Sequence, residues 1–314
     1  MQTTRLGESD LNLTKIGLGT WAIGGPEWEY GWGQQDKNKS IDAILCGIEN
    51  GINWIDTAPA YGLGESEKVI AEALKKLNKK PVIATKCGLV SDSKRKISSC
   101  LKKESIRREV EDSLRRLEVD VIDLCQIHWP RPDADIEEGW EELVKLKSEG
   151  KIRWLGVSNF SVSQLKRVMN ISKPVSLQPP FSMIERSIEN VVLDFCAENN
   201  IGVIVYSPMQ KGLLTGKFTK EKIEQLPAND HRKNDSNFRE PRLSKNIELV
   251  ENLKDIASKL GITLSQLAIA WVLSNPKVTS AIVGVRNVTQ VNDIITAHKI
   301  KLSPDVLEQI RRLL

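Results

Sequence analysis

Short apolar runs alternate with longer amphipathic segments along most of the chain, after an opening stretch, Thr4–Thr14, that has turn-forming residues in its middle. An apolar run flanked by turn residues is typical of a buried strand, and apolar residues recurring every three or four positions are typical of a helix. The strands predicted in this way are Ile16–Gly19, Ile52–Ile55, Val82–Thr85, Val121–Ile127, Ile152–Val157, Val175–Leu177, Gly202–Val205 and Ser280–Val283.

An amphipathic segment follows each of these strands, and this order predicts an α/β protein with a (β/α)8 TIM barrel. The opening stretch predicts an N-terminal β-hairpin, and Thr263–Ser274 and Pro304–Leu314 predict extra helices towards the C-terminus. No change of composition divides residues 1–314, so we expect a single domain. The helices predicted to pair with the strands are Lys39–Asn50, Glu65–Lys76, Ser105–Leu117, Ile136–Glu149, Ser161–Asn170, Ser187–Glu198, Ile247–Leu260 and Asn287–Ala297.

A doubly wound parallel sheet is the alternative fold for alternating strands and helices. Such a sheet usually carries a GxGxxG sequence between its first strand and its first helix. Here the sequence IGLGTW at Ile16–Trp21 has only the first two glycines, and no helical pattern begins behind them. The sequence therefore favours the barrel.

One connection is too long for a minimal barrel. The segment Met209–Leu243 is polar and rich in lysine and arginine, and it follows the seventh strand. Its polar composition predicts that it forms no core of its own, and its length makes it a candidate lid over a site.

Composition and charge exclude several classes of protein. The chain is 40% hydrophobic and 27% charged, and its net charge of +4 is spread over helix faces, so binding of nucleic acid is not indicated. The N-terminus has no apolar signal core, and no apolar run approaches the roughly 20 residues of a membrane span. We expect a cytoplasmic protein that does not associate with membranes.

The cysteines and histidines do not predict a metal site. The five cysteines have no CxxC spacing and the three histidines no HxH or HExxH spacing. Cys125 and Cys196 lie in apolar patterns and are expected to be buried thiols. Cys87 follows Lys86, so a reactive thiol beside a cation is the less favoured alternative there.

Four side chains capable of proton transfer lie at or just after strand ends. Asp56, Lys86 and His128 each close an apolar run, and Tyr61 follows Asp56 by five residues. Because parallel strands of a barrel end on the same face, we expect these groups to meet, which indicates an enzyme. The alternative is a buried Asp56–Lys86 pair and a core histidine with purely structural roles.

At these residues the chain resembles the aldo-keto reductase superfamily, and the resemblance runs nearly from end to end. The sequences GTWAIGG and HWP favour its bacterial and cyanobacterial branch, which includes general-stress and inositol-operon reductases. The segments that carry the resemblance are Ile16–Gly25, Asp56–Gly62 (DTAPAYG), Ala84–Lys86, Asp123–His128, Gly156–Phe160 (GVSNF), Gln178, Tyr206–Phe218 and Gly284–Asp293.

The resemblance implies a catalytic tetrad and NADPH as the cofactor. It makes Tyr61 the general acid, Lys86 the group that stabilises its phenolate, Asp56 the group that holds the lysine, and His128 the group that orients the substrate carbonyl. Beside Asp56, the residues implied to contact the nicotinamide and pyrophosphate are Thr20, Trp21, Ser158, Asn159, Gln178, Tyr206, Ser207, Pro208, Met209 and Lys217. Capping of the helix at Ser161 is an additional interpretation of the SNF sequence.

At the adenosine end, the resemblance places Gly284 where a side chain would crowd the phosphate. Arg286 is the candidate for the 2′-phosphate, because a guanidinium binds phosphate as a fork. Gln290 and Asp293 match adenine and ribose contacts. Ile294 departs from the family, which usually has asparagine there, so one adenine contact is expected to be missing.

Aromatic residues gather in the loops predicted at the catalytic end. Trp21, Trp28 and Trp129, with Tyr61 and His128, predict an apolar pocket for a small carbonyl substrate, and packing of surface loops is the alternative. We therefore expect an NADPH-dependent aldo-keto reductase, acting as a monomer or weak oligomer. Potassium-channel β-subunits share the fold and tetrad, so an NADPH-binding regulatory subunit with slow turnover is the alternative function.

Overall fold

Eight parallel strands close into a barrel in the computed structural model, which describes residues 1–26 and 28–314. The strand order follows the chain, and the last barrel strand pairs with the first, Val283 opposite Leu18. The predicted (β/α)8 barrel and opening hairpin are confirmed. The strands are β1 Thr3–Arg5, β2 Asn12–Thr14, β3 Ile16–Gly19, β4 Trp54–Asp56, β5 Val82–Cys87, β6 Leu89–Ser91, β7 Ile97–Ser99, β8 Ile122–Ile127, β9 Ile152–Ser158, β10 Ser176–Gln178, β11 Gly202–Tyr206 and β12 Ser280–Gly284, of which β3, β4, β5 and β8 to β12 form the barrel.

Helices surround the barrel, and most of the core lies between the two layers. Trp140 and Leu143, which are fully buried, pack there with residues such as Ile127 and Val157 from the strands. The helices are α1 Lys37–Glu49, α2 Glu65–Leu74, α3 Lys103–Leu117, α4 Ile136–Ser148, α5 Val162–Met169, α6 Val192–Glu198, α7 Lys220–Glu224, α8 Arg242–Lys259, α9 Leu264–Ser274, α10 Val288–Ile294 and α11 Pro304–Leu313.

The hairpin β1–β2 covers one end of the barrel. Leu6 and Leu13 are buried beside Trp54, which fills the interior from β4. The turn needs glycine at Gly7, whose φ is +52° and where a Cβ atom would lie 2.4 Å from Val175 O. Side chains therefore fill this end, and the site lies at the other end, where the strands terminate.

Two helices begin five residues away from their predicted first residues. The prediction Ser187–Glu198 is wrong in its first part, because α6 begins only at Val192, after a non-helical Val191 with φ of −122°. The prediction Ile247–Leu260 is too short, because α8 begins at Arg242, directly after a proline. In both cases local turn chemistry, and not apolar spacing, sets the first residue of the helix.

The long connection after β11 has a core of its own, contrary to the expectation from its composition. Leu213, Ile223 and Phe238 are buried together with Leu243, the first-turn residue of α8. Four well-spaced apolar residues suffice because short helical turns bring them together, although the segment is polar on average.

Three of the five cysteines are buried in the barrel. Cys125 and Cys196 are buried as predicted, and Cys87 is buried too, with a hydrogen bond to Cys125 and burial both raising the pKa of its thiol. The alternative prediction of a reactive thiol at Cys87 is therefore wrong.

In the described part of the chain no single helix is long and apolar enough to cross a membrane; α8 and α9 pass that test only as a pair bent by 90°. No group of three or more potential metal ligands occurs among residues 1–26 and 28–314.

Candidate active site

A buried ion pair lies at the carboxyl ends of β4 and β5. Lys86 Nζ is 2.7 Å from Asp56 Oδ2, 3.0 Å from Thr57 O and 3.2 Å from the Tyr61 hydroxyl. An ammonium has three N–H donors, and these three acceptors use all of them. The Tyr61 oxygen therefore accepts a hydrogen bond from Lys86, and its own proton is free to be donated elsewhere.

Burial has a strong effect on the protonation of these groups. Burial and, secondly, the Asp56 carboxylate raise the pKa of the Tyr61 phenol well above its ordinary value. Burial lowers the pKa of Lys86, although Asp56 opposes this shift. Desolvation of the buried phenol thus disfavours its ionised form, and the role of Lys86 in stabilising the phenolate stays a prediction. The phenol stays protonated at neutral pH, as a proton donor must.

His128 faces the phenol from the next strand end. The two ring centroids are 5.8 Å apart, with the rings nearly perpendicular. Burial, helped by the charge of Lys86, lowers the pKa of His128 well below its ordinary value. The imidazole is therefore neutral and can donate one hydrogen bond to an uncharged oxygen.

Side chains from β9, β10 and β11 form a hydrogen-bond network beside the tetrad. Gln178 Nε2 donates to Asp56 Oδ1 at 2.8 Å, and Ser158 Oγ donates to Gln178 O at 2.8 Å. Asn159 Nδ2 donates to His128 O, and its Oδ1 accepts from the Tyr206 hydroxyl at 2.9 Å. Asn159 reaches these partners in a left-handed conformation with φ of +64°. These predicted cofactor residues are thus linked directly to the tetrad.

The helix that follows β9 begins with a cap at Ser161, separate from the site residues Ser158 and Asn159. Ser161 caps α5 and forms a capping box with Gln164. Ser158 and Asn159 precede the cap and face the cavity, so the predicted cap at Ser161 exists in addition to the site.

All the predicted site residues except Lys86 line one cavity, of about 1020 Å³. Lys86 lies beneath the cavity, and only 1% of the residue is exposed. The volume is at the upper end of the roughly 300–1,000 Å³ typical of small-molecule sites. The structure thus brings together predicted residues from widely separated parts of the sequence; their individual roles stay predictions.

The backbone after β11 is strained where it borders this cavity. Ser207, Gln210 and Lys211 have φ of +55°, +44° and +53°, which is uncommon for residues with a side chain. Such conformations cost of order 1–3 kcal/mol each and gather at functional sites. The turn keeps Pro208 and Met209 on the cavity wall.

Arg286 follows β12 at one end of the cavity and is held by the loop that follows the neighbouring strand β3. Its Nε donates to Gln35 Oε1 at 2.7 Å, its Nη2 donates to Gln34 O, and its own carbonyl accepts from Gln35 Nε2 at 2.9 Å. Gln290 Oε1 accepts from Arg286 N at 2.8 Å, and Asp293 Oδ1 accepts from Thr263. The guanidinium is half-buried and keeps further N–H donors for a ligand.

Two other residues at this end match the expectations in part. A Cβ atom added to Gly284 would meet only Gly19 O, at 4.0 Å, so the space beside it belongs to the cavity. Ile294 is buried and apolar, and it also lines the cavity. It cannot replace the hydrogen bond of an asparagine.

The long connection packs on the cavity through His231 and Arg232, which sequence reasoning missed. The rings of His231 and Trp21 are 4.6 Å apart, and those of His231 and Trp32 are 4.8 Å apart. His231 N donates to Gly31 O, and the Arg232 guanidinium lies 4.7 Å from the Trp32 ring centroid. Burial, then the charge of Lys211, lowers the pKa of His231 to about 4. A neutral imidazole thus joins the connection to the loop of residues 28–36, here called the entrance loop.

The half of the cavity around Tyr61 and His128, here called the substrate half, is lined by aromatic residues; that it binds the substrate stays a prediction. Trp28 is buried with its ring centroid 6.2 Å from that of Tyr61, and Trp129 lies on the wall beside His128. The hairpin β6–β7 supplies Leu89 and Ile97 to the same half and was not predicted. Its alternating residues around Asp92, whose carboxylate accepts from Lys94 N and Lys96 N, are a signal that could have found it.

Comparison with known proteins agrees with this architecture. The model of the Aldo/keto reductase family matches residues 15–314. Aldo-keto reductase YhdN from Bacillus subtilis (strain 168) is 37% identical over 91% of this chain and 85% of its own length. An NADH-specific methylglyoxal reductase from Escherichia coli (strain K12) is 37% identical over 96% of this chain and 95% of its own.

Two further similarities differ in kind. The structure of a glycerol dehydrogenase from Gluconobacter oxydans superposes with a TM-score of 0.89 at 37% identity, covering 99% of this chain and 94% of the other. A probable voltage-gated potassium channel subunit beta from Arabidopsis thaliana is 29% identical over the whole of this chain and 97% of its own length. The chain belongs to the aldo/keto reductase family, whose members are oxidoreductases that use nicotinamide cofactors.

Proposed function

We propose that the protein reduces aldehydes or ketones to alcohols with NADPH, with Tyr61 as the proton donor. One observation carries the proposal: the Tyr61 phenol accepts a hydrogen bond from Lys86 at 3.2 Å and lines an open cavity, while Asp56 fixes the lysine at 2.7 Å. This arrangement presents one proton to a ligand and places a cation where the phenolate would form.

The other polar groups of the site support the same chemistry. The neutral imidazole of His128 can donate to the carbonyl oxygen and orient it towards Tyr61. When bound, NADPH supplies the hydride. Asp56 accepts hydrogen bonds from Lys86 and Gln178, and these contacts keep the Lys86 side chain in place as the phenol loses its proton. Removal of water by the aromatic walls strengthens these contacts.

The residues of the cavity fit a nicotinamide dinucleotide. Tyr206 offers a ring beside Asn159, and the open space beside Gly284 leaves room for a phosphate group. Lys217 lines the cavity, and no side-chain partner is recorded for it in the described part of the chain. Ser158, Asn159 and Gln178 would hold the carboxamide of the nicotinamide, and Lys217 the pyrophosphate.

The preference for NADPH rests on Arg286. Gln34 and Gln35 orient its guanidinium at the end of the cavity, and a planar cation with free N–H groups suits a 2′-phosphate. The relative from Escherichia coli is NADH-specific by name, so family membership alone does not decide the cofactor. Arg286 is the feature of this chain that favours the phosphorylated form.

A substrate panel tests the proposal. Methylglyoxal and a set of simple aldehydes would be offered with NADPH and, separately, NADH, and glycerol would be offered with NADP⁺, since relatives act on such compounds by name. Absorbance at the wavelength of reduced nicotinamide should fall over many turnovers with NADPH. An enzyme that turns over only with NADH would contradict the assignment of Arg286.

A second candidate is a regulatory subunit that binds NADPH and turns over slowly, which the similarity to a potassium channel subunit beta supports. The same assay separates the two. A single turnover of bound NADPH, followed by no further oxidation in excess aldehyde, would favour the regulatory role.

A further inference from the structure

Trp28 and Arg131 each supply a hydrogen-bond donor to the substrate half of the cavity, and neither donor has a side-chain acceptor among the described residues. Trp28 is 7% exposed, and its Nε1 is buried without a hydrogen-bond partner. A buried donor left unpaired costs about 1–3 kcal/mol, so its place beside Tyr61 calls for a ligand that supplies the acceptor. Trp28 and Tyr61 belong to one buried cluster, which puts this donor next to the reacting carbonyl.

The second donor is the guanidinium of Arg131. It lies 5.4 Å from the Trp129 ring centroid, and no ion pair or side-chain hydrogen bond is recorded for it in residues 1–26 and 28–314. The two other arginines that line the cavity have side-chain partners: Arg232 forms an ion pair with Asp230 at 2.6 Å, and Arg286 donates a hydrogen bond to Gln35. Arg131 therefore presents a free positive charge at the exposed rim.

The chain fixes where this charge lies relative to the chemistry. Arg131 follows His128 by three residues, and three residues span at most about 11 Å when fully extended. A hydrogen bond from Arg131 N to Trp129 O at 2.8 Å folds the segment back, which shortens this distance. Because Tyr61 and His128 line the same cavity as Arg131, a ligand with its carbonyl at Tyr61 can extend towards the guanidinium.

The carboxylates nearby are already in use. Glu29 lines the same cavity, but its Oε2 accepts from Ile97 N at 3.3 Å. Asp56 is paired with Lys86 below the cavity. Neither carboxylate forms an ion pair with Arg131. The negative charge of Glu29 still weakens the attraction between Arg131 and an anion that does not contact the guanidinium directly.

We infer that the substrate is a carbonyl compound that carries an anionic oxygen group, a carboxylate or a phosphate, a few bonds from the carbonyl carbon. Arg131 binds the anion above Trp129, and Trp28 Nε1 donates to an oxygen of the substrate. The inference rests on the proposed function. The anionic group is unchanged in the reaction: hydride adds to the carbonyl carbon, the Tyr61 proton adds to its oxygen, and the product is the hydroxy acid or hydroxy phosphate.

Matched pairs of substrates test the inference. We would measure kcat/KM for 4-oxobutanoate against 4-oxobutanamide, which differ in charge and little in shape, and for glyceraldehyde 3-phosphate against glyceraldehyde. The first pair detects a carboxylate and the second a phosphate. We expect the anionic member of one pair to be favoured about tenfold, because charge-assisted contacts are worth at least this ratio. No preference in either pair would overturn the inference.

Variants identify the residue responsible. Arg131→Gln should reduce the ratio of the anionic to the neutral substrate about tenfold, and Arg131→Lys should reduce it less. Arg312→Gln, the same change on the exposed face of α11, is the matched control and should leave the ratio unchanged. Trp28→Phe should lower kcat/KM for both members of a pair by about 2- to 12-fold, since both have an oxygen that accepts. If Arg131→Gln lowered kcat/KM equally for the anionic and the neutral substrate, a role of Arg131 in recognising the anion would be excluded.

A binding measurement keeps the inference testable apart from the proposed function. Calorimetric titration of the protein without cofactor should show tighter binding of 4-hydroxybutanoate than of 4-hydroxybutanamide, and Arg131→Gln should remove the difference. If no carbonyl in any panel is reduced but this difference is present, the proposed function fails and the anion site stands. If neutral aldehydes are reduced and no difference is present, the proposed function stands and the anion site fails.

Discussion

Loss of the buried ammonium should destabilise the protein as well as stop its chemistry. In Lys86→Met the Asp56 carboxylate, 2% exposed, keeps only the hydrogen bond from Gln178 among its recorded side-chain contacts. Breaking a buried ion pair by removing one partner typically costs about 3–5 kcal/mol. Because Gln178 still donates to Asp56, we expect a loss of about 3 kcal/mol in the free energy of unfolding.

Thermal unfolding followed by tryptophan fluorescence measures this loss. Domains of 150–250 residues shift by roughly 2–4 °C per kcal/mol, so the midpoint for Lys86→Met should fall by about 6 °C. Lys75→Met is the matched control, because Lys75 and its partner Glu118 are 59% and 54% exposed. An exposed pair contributes less than about 1 kcal/mol, and its loss should move the midpoint by about 2 °C at most.

A second substitution separates stability from catalysis. Asp56→Asn in the Lys86→Met background removes the unpaired charge and should restore most of the stability, whereas carbonyl reduction should stay lost because no cation supports the phenolate. A double variant as unstable as Lys86→Met alone would show that the lysine acts through packing. A double variant that regained activity would refute the role of Lys86 in proton transfer.

Three further predictions concern Tyr61, Arg286 and the buried carboxyl group of Glu109. Tyr61→Phe should lower kcat for carbonyl reduction by at least about 10²-fold and leave the Kd for NADPH near that of the unmodified protein, measured by fluorescence titration; retained activity would point to His128 as the donor. Arg286→Ala should weaken NADPH binding by about 10- to 150-fold, as expected for charge-assisted contacts, and NADH binding by far less; equal losses would mean that Arg286 only holds the entrance loop. Burial raises the pKa of Glu109 from 4.5 to about 7, so the folded state binds the proton more tightly than the unfolded state. Its contribution to stability is therefore fully present below pH 4.5 and is lost as the pH rises to 7, which lowers the free energy of unfolding by about 3 kcal/mol. Denaturant titrations at pH 5 and pH 8 measure this loss, and Glu109→Gln should remove it. The same change in unfolding free energy between the two pH values in both proteins would refute this role of Glu109.

The strands and the tetrad could be predicted because both depend on local sequence. An apolar run ending in Asp56 or Lys86 identifies a strand and its last residue, and the barrel then brings the ends of β4 and β5 together. Because parallel neighbours in a closed barrel end on one face, side chains at their last residues come together.

Other features depend on contacts that are distant in sequence. Gln35 and Arg286 are 251 residues apart, and nothing in either segment indicates the other. The direction of the pKa shift at Tyr61 depends on how completely the phenol is buried, which the motif does not state. The helix start at Val192 is set by a turn among residues 187–191, where apolar spacing still fits a helix.

The entrance loop connects the two halves of the cavity, so binding in one half can affect binding in the other. Trp28 faces the substrate side, while Gln35 holds the arginine at the opposite end, only seven residues away. Ordering of this loop by one ligand lowers the entropy that the other must lose, and thermodynamic linkage makes the benefit equal in both directions. Cofactor preference and substrate range are therefore expected to change together when the loop is altered, and variants selected for one should be screened for the other.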